Sequence, residues 1–182
     1  MRDTIKHFVR LVAEFLPIHE PIVEFGALQV AGQQGFADLR PLFPGKQYLG
    51  TDVRAGPGVD RILDLHNIDL DAESVGTALA LETLEHVEFP HRALQEIHRV
   101  LRPGGIAVIT SHMNCPIHLH PSDYWRFTPF GFVSLLQPFS ESYVDSAGEQ
   151  DFPHTIVGIG FKGGRPPLDQ FLSEIQRWKA QQ

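Results

Sequence analysis

The chain has 182 residues, 42% of them hydrophobic and 20% charged, and a formal net charge of −7. That length can bury a substantial core within one domain, and an acidic chain with no basic stripe argues against nucleic acid as a partner. No run approaches the roughly 20 apolar residues of a membrane helix, the N-terminal MRDTIKHFVRLVAEFL is too interrupted by charge for a signal peptide, and the single Cys115 leaves no internal disulfide and suits a reducing cytoplasm.

Ile5, Phe8, Val9, Val12 and Phe15 or Leu16 share one stripe, so a helix is expected over 4–16, ended by Pro17. Pro21 to Gly26 (PIVEFG) reads as a first strand running into a glycine turn. A helix is expected over 33–43 with Phe36, Leu39 and Phe43 inward, stopped at Pro44-Gly45. Gln47 to Thr51 is the second strand and Val59 to Leu63 a short third. Ala78 to Leu81 is a short, punctuated apolar run, as suits a parallel strand covered on both faces. Leu94, Ile97, Val100 and Leu101 then recur at helical spacing while Arg92, Glu96, Arg99 and Arg102 face elsewhere as a solvent face. Pro103-Gly104-Gly105 is expected to stop that helix and Ile106 to Thr110 to form the fifth strand. Thr128 to Leu136 begins with a Thr-Pro cap signal. Ser142 to Ser146 and Thr155 to Lys162 look like an antiparallel pair, and Asp169 to Lys179 closes with a helix. Were the strand over 155–162 to lie at a sheet edge, its apolar face would offer a seam for a homodimer. Alternating strands and helices favour a mostly parallel sheet with right-handed crossovers.

The segment from Ala78 to Thr110 carries the most information. Its ETLEHV (82–87) followed by ALQEIHRVLRPGG (93–105) resembles the central segment of class I S-adenosylmethionine-dependent methyltransferases, in particular the methyltransferase type 11 group. The resemblance spans 22–140 and is strongest over 78–127. It implies an α/β, Rossmann-like, doubly wound, mostly parallel seven-stranded sheet with an antiparallel edge. It also implies one methyltransferase-like domain over 1–182, with an N-terminal helix, a cofactor half over 21–82 and a substrate-side half over 83–182.

In such a sheet ligands bind outside the carboxyl ends of the strands. Glu24-Phe25-Gly26 matches the acidic-x-Gly opening of the family's glycine loop, and Gly26, with no Cβ, lets backbone approach a cofactor. Leu28 and Val30 stand where further glycines would fall, and a longer loop recovering at Gly32 and Gly35 is the compensating reading. No GxGxxG fingerprint is present, which disfavours a nicotinamide or flavin dinucleotide. Asp52, with Val53 beside it, ends the second strand, where a carboxylate can accept both ribose hydroxyls; a strand-end Asp is also a common turn former. Asp64 and Leu65 resemble the family's adenine-contacting position, although Asp64 could equally be a cap. Leu81 and Glu82 follow the fourth strand and should border the same pocket, where Glu24 or Glu82 would favour a sulfonium cation.

The segment SHMNCPIHLHPSDYWRFTP (111–129) follows the fifth strand, and its DYWRFTP run is similar to one in a subset of type 11 methyltransferases, where it lies over the active-site mouth. His120, Tyr124 and Trp125 are candidate substrate contacts and Arg126 a candidate anion binder; packing of the following helix is the competing role. His118-x-His120 with His86 or His112 is weak evidence for a metal, and no metal site is expected. Candidate bases are Glu85, His86, His120 and Asp123, with His86 first because it follows the fourth strand and imidazole titrates near neutrality; a structural turn at Glu85-His86 is the alternative. The expected function is S-adenosylmethionine-dependent methyl transfer to a small-molecule or glycan-type acceptor, and the competing one a catalytically inactive, methyltransferase-like binding domain with an altered glycine loop.

Overall fold

The computed structural model describes residues 2–30, 32 and 34–182. Helix α1 (Asp3–Phe15) places Asp3 in its first turn, where a negative charge suits the helix dipole, and turns Ile5, Phe8, Val9, Leu11 and Val12 inward. The strands are β1 (Ile22–Phe25), β2 (Tyr48–Asp52), β3 (Arg61–Ile62), β4 (Val75–Leu81), β5 (Leu101–Ser111), β6 (Glu141–Gly148) and β7 (Pro153–Phe161). The remaining helices are α2 (Pro90–Val100), α3 (Pro129–Leu135) and α4 (Asp169–Ala180). The strands form a seven-stranded sheet in the order β3-β2-β1-β4-β5-β7-β6. Neighbours from β3 to β5 pair in parallel, while β7 runs antiparallel to both β5 and β6. This is the expected doubly wound sheet with an antiparallel edge.

Side chains alternate across the sheet, and each face buries its own set. Val23, Phe25, Ala78, Ala80, Ala107 and Ile109 pack with α2 and α3. Ile22, Leu79, Leu81, Val108, Val157 and Ile159 pack with α1 and α4. On that second face Phe8 meets Phe171 at 6.4 Å and Trp178 at 5.6 Å between ring centres. Fully buried aliphatic and aromatic side chains of this kind each contribute roughly 1.5–3 kcal/mol. No helix among the described residues is long and apolar enough to cross a membrane.

Four expectations need correction. No α-helix forms over 34–43 (residue 33 lies outside the described ones): there are turns and a single 3-10 turn at Arg40–Leu42, Leu39 and Phe43 are buried, and Phe36 is exposed. Glycines 32 and 35 and Pro41 oppose a continuous helix there. The third strand shrinks to Arg61–Ile62. Helix α2 ends at Val100, and β5 starts at once with Leu101; residues 102–105 bulge out, since Val75 pairs with Leu101 and Thr77 with Ile106. Finally, β7 lies between β5 and β6, and Ile156, Val157, Ile159 and Phe161 are fully buried, so it offers no seam for a homodimer.

Two glycines test this packing. A Cβ at Gly76 would stand 2.4 Å from the backbone oxygen of His19, whereas one at Gly131 meets nothing closer than 3.6 Å. Gly76→Ala is expected to lower the unfolding free energy by about 1–3 kcal/mol. Gly131→Ala, inside α3, should leave it unchanged or raise it by about 0.5–1 kcal/mol. Urea titrations of the two variants check both signs.

Candidate active site

The carboxyl ends of β1, β2 and β4 open onto a cavity of about 430 Å³. Gly26 closes β1 in the left-handed region (φ 84°), and its N–H donates to the Thr51 carbonyl at 2.8 Å. A Cβ there would lie 2.3 Å from Thr83 Oγ1, and that hydroxyl donates to the Phe25 carbonyl at 3.1 Å. The end of β1 is thus stapled to the loop after β4, and the turn has room only for glycine. Gly32 stands outside the cavity wall, its N–H donating to Gln34 Oε1 at 2.9 Å.

Asp52 is the last residue of β2 and lines the cavity. Its Oδ1 accepts from the Arg54 N–H at 2.9 Å, while Oδ2 makes no hydrogen bond among the described residues. Val53 is 52% exposed yet lines the cavity, and Leu65 is a buried apolar neighbour on the same wall. Asp64 Oδ1 accepts from the His66 N–H and lies 2.8 Å from His66 Nδ1. His66 Nε2 accepts from the Phe89 N–H, which leaves Nδ1 as the protonated nitrogen that donates to Asp64. Leu81 and Glu82 border the cavity as well.

The two sulfonium-facing candidates differ in charge. Glu24 is buried beneath Tyr48, whose Oη donates to Glu24 Oε2 at 2.6 Å. Burial pushes its carboxyl up to about 7, against the lowering effect of that hydrogen bond. Glu82 is also buried, which opposes ionisation, but its hydrogen bond with His112 and the charge of Arg2 outweigh burial and hold the carboxyl down at about 2. Arg2 Nε donates to Glu82 Oε1 at 2.7 Å. Glu82 is therefore a fixed negative charge at the cavity, and Glu24 is only partly ionised at neutrality.

Behind Glu82 lies a polar group that sequence reasoning met only in part, because it assembles from separate strand ends. His112, just past β5, has Nδ1 3.4 Å from Glu82 Oε1 and Nε2 3.4 Å from Glu85 Oε1. Glu85 is fully buried, accepts from Ser111 Oγ at 2.8 Å, and burial raises its carboxyl above the ordinary range. Glu85 Oε1 and His112 Nε2 are buried without a hydrogen-bond partner among the described residues. His86 lines the cavity with Nδ1 2.5 Å from the Ser122 carbonyl. A carbonyl can only accept, so Nδ1 carries the proton and Nε2 the lone pair. Burial lowers the His86 pKa, so the imidazole is neutral at pH 7.

His118 and His120 also reach the cavity, whereas Tyr124, Trp125 and Arg126 do not line it. Trp125 Nε1 donates to the Val87 carbonyl at 3.0 Å, and the Tyr124 N–H donates to the Glu85 carbonyl at 2.8 Å. The Arg126 guanidinium is occupied by Asp123 at 2.6 and 2.8 Å and by the carbonyls of Cys115 and Pro116. That hydrogen-bonded pairing holds the Asp123 carboxyl well below the usual range and makes the pair a strut of the loop. Cys115, read from the sequence only as the lone thiol, joins the cavity wall.

The Glu24 environment gives a pH signature. Its pKa rises from 4.5 in the unfolded chain to about 7 in the fold, so its contribution to stability is complete below pH 4.5 and is lost as pH rises through 7. Wild type minus Glu24→Gln is expected to fall by up to about 3 kcal/mol between pH 4.5 and 8, measured by urea unfolding across that range.

Residues 45–109 match a family model described as a methyltransferase domain. No curated protein matches the sequence. Among solved structures, an S-adenosylmethionine-dependent methyltransferase of Thermotoga maritima is 19% identical, covering 89% of this chain and 100% of that one at a TM-score of 0.60. The complex of the Haloferax volcanii Trm112 methyltransferase activator with a methyltransferase is 18% identical, covering 87% and 90% at 0.59. The trans-methyltransferase CalH, solved with S-adenosylhomocysteine, is 18% identical, covering 86% of this chain and 55% of that one at 0.60. At these identities the structures speak for the fold, and the matched segment for a methyltransferase-like domain over its own length. Taken together, the chain resembles the class I S-adenosylmethionine-dependent methyltransferases, in domain signature over residues 45–109 and in fold over most of its length.

Proposed function

We propose that this chain methylates a small-molecule or glycan-type acceptor in a cytoplasmic setting, residues 1–182 acting as one unit. The observation that carries the reading is a shared cavity: the strand-end residues Gly26, Asp52, Asp64 and Glu82 and the histidines 86, 112, 118 and 120 line the same space. The residues present fit a nucleoside with a charged tail. Asp52 Oδ2 would accept the ribose hydroxyls, and Val53 and Leu65 would flank the adenine ring, with Asp64 at its edge. Glu82, held ionised by His112 and Arg2, would favour the cationic end. When bound, S-adenosylmethionine supplies a methyl group activated by its sulfonium.

The chain itself must then orient the acceptor and remove its proton. His86 is suited to taking that proton, because Ser122 fixes its ring, Nε2 keeps the lone pair, and burial keeps it neutral near pH 7. His120, 5.9 Å away between ring centres, would border the acceptor. Arg126 and Asp123 would hold the loop that carries both His118 and His120.

Calorimetric titration with S-adenosylhomocysteine, with NAD as control, tests the cofactor assignment. Micromolar binding is expected, weakened at least about tenfold, or roughly 1.4 kcal/mol, by Asp52→Ala with the fold unchanged. A folded wild-type protein that binds nothing would instead favour a methyltransferase-like binding domain. Once an acceptor is in hand, the rate should stay flat above pH 6.5 and fall below it, since the base must be unprotonated and its pKa is lowered. His86→Ala should cut kcat by about 10²–10⁴ while leaving S-adenosylhomocysteine affinity intact; loss of both together would make His86 structural.

A further inference from the structure

Four histidines converge at the rim of the cavity, with His118 at their centre. Its ring centre lies 4.9 Å from His86, 4.9 Å from His112 and 5.8 Å from His120. Cys115 Sγ stands 3.9 Å from His118 Nδ1. One ligand atom each of His112, Cys115 and His118 falls within 4.8 Å of the other two. Such a grouping is not explained by apolar packing: His112 is buried, Cys115 and His118 are half-buried, and His120 is exposed.

The loop is held largely by groups outside the cluster, although His118 Nδ1 also lies 3.1 Å from the Pro116 carbonyl and His86 Nδ1 meets that of Ser122. Asp123 Oδ2 accepts from the His118 N–H at 2.8 Å, and Arg126 donates to the Cys115 and Pro116 carbonyls. The backbone of the cluster is thereby fixed by an ion pair outside it. At its floor, His112 Nε2 and Glu85 Oε1 stand 3.4 Å apart, buried and without a hydrogen-bond partner among the described residues, in residues only 4% and 0% exposed. Orphaned buried polar groups are rare and are commonly satisfied by an ion or a water. Glu82 stands behind the other nitrogen of His112 at 3.4 Å, the carboxylate–histidine arrangement that orients metal-binding imidazoles.

We propose that His112, Cys115 and His118 form a binding site for a divalent cation of the zinc class, opening on the cofactor cavity. Two imidazoles and a thiolate are a donor set of the right softness for such an ion. In a tetrahedral zinc site, sulfur and nitrogen ligands lie roughly 3.3–3.8 Å apart, from metal–ligand bonds of roughly 2.0–2.3 Å; the Cys115 Sγ–His118 Nδ1 separation of 3.9 Å is slightly longer, and that nitrogen would exchange its contact with the Pro116 carbonyl for the ion. Three protein ligands leave a fourth position for water or an acceptor heteroatom, as in zinc sites that do chemistry. Binding is not a redox step: the Cys115 S–H proton is released to solvent as the sulfur–metal bond forms. Glu82 supplies nearby negative charge. A second set, Glu85, His86 and His118, competes for His118 and offers an oxygen in place of the sulfur.

The full-length protein, stripped with chelator and titrated with cobalt(II) alone, provides the test. One equivalent should bind, with a sulfur-to-cobalt charge-transfer band in the near ultraviolet that zinc(II) then bleaches. Cys115→Ser should abolish the band, and His118→Ala should weaken cobalt affinity at least tenfold, both with unchanged circular dichroism. Absence of stoichiometric uptake by wild type would overturn the proposal, as would uptake that survives Cys115→Ser unchanged. Uptake without the band and lost in His86→Ala would assign the ion to the competing set and overturn the thiolate site. Titration with S-adenosylhomocysteine on the same samples tests the cofactor assignment separately, because the cobalt band does not require a cofactor.

Discussion

Because every residue of β4 from Val75 to Leu81 is buried, both of its faces must be covered and both of its edges paired, and the position of the site follows from that requirement. Register with β1 sets Phe25 beside Ala80, and register with β5 sets Thr110 beside Leu81. Three strands consequently end at one level, and the chain leaves the sheet there in three short segments: Gly26, Glu82–His86 and His112. Thr83 fixes the first to the second through the Phe25 carbonyl, and His112 lies between Glu82 and Glu85. A cavity bounded by strand ends inherits the rigidity of the sheet. The longer loop over 112–127 must supply its own order, which it does through Asp123 and Arg126.

The electrostatics of this level come from separating two carboxyls that stand three residues apart. Glu82 meets Arg2 and His112 and is held ionised, while Glu85 loses its water to burial and is pushed toward the neutral acid. Pairs of titratable groups driven in opposite directions are a frequent sign of a working site. His86 extends the pattern, since its ring is kept neutral with a defined tautomer by the Ser122 carbonyl.

Much of this was legible in the sequence, for identifiable reasons. The strands β1, β2, β4, β5 and β7 and the helices α1 to α4 announce themselves by apolar period and by Pro or Gly punctuation, so their centres agree with the structure and only their ends move. The helix expected over 33–43 failed because Leu39 and Phe43 are inward at helical spacing while the glycines and Pro41 prevent the backbone from following. That β7 inserts between β5 and β6 is a matter of sheet order, which local patterning does not encode. That Asp52 and Asp64 border the cavity could be anticipated because a strand end is a local address. The Glu82–His112–Glu85 group, the strut role of Arg126 and the approach of Cys115 to His118 join residues from different segments or turn on loop shape, and only the folded chain brings them together.

The outer strands carry a consequence of a different kind. On one side the sheet ends in β3, two exposed residues long, with Arg61 tied to Asp69. On the other it ends in β6, where Asp145 is tied to Lys179 of α4 and the pairing with β7 slips between Ala147 and Gly148. Short, charged and irregular borders are poor templates for a further strand. The sheet is in effect terminated at both ends, which protects the chain against runaway β-polymerisation and leaves its lateral faces, rather than its backbone edges, as the surfaces through which copies could associate.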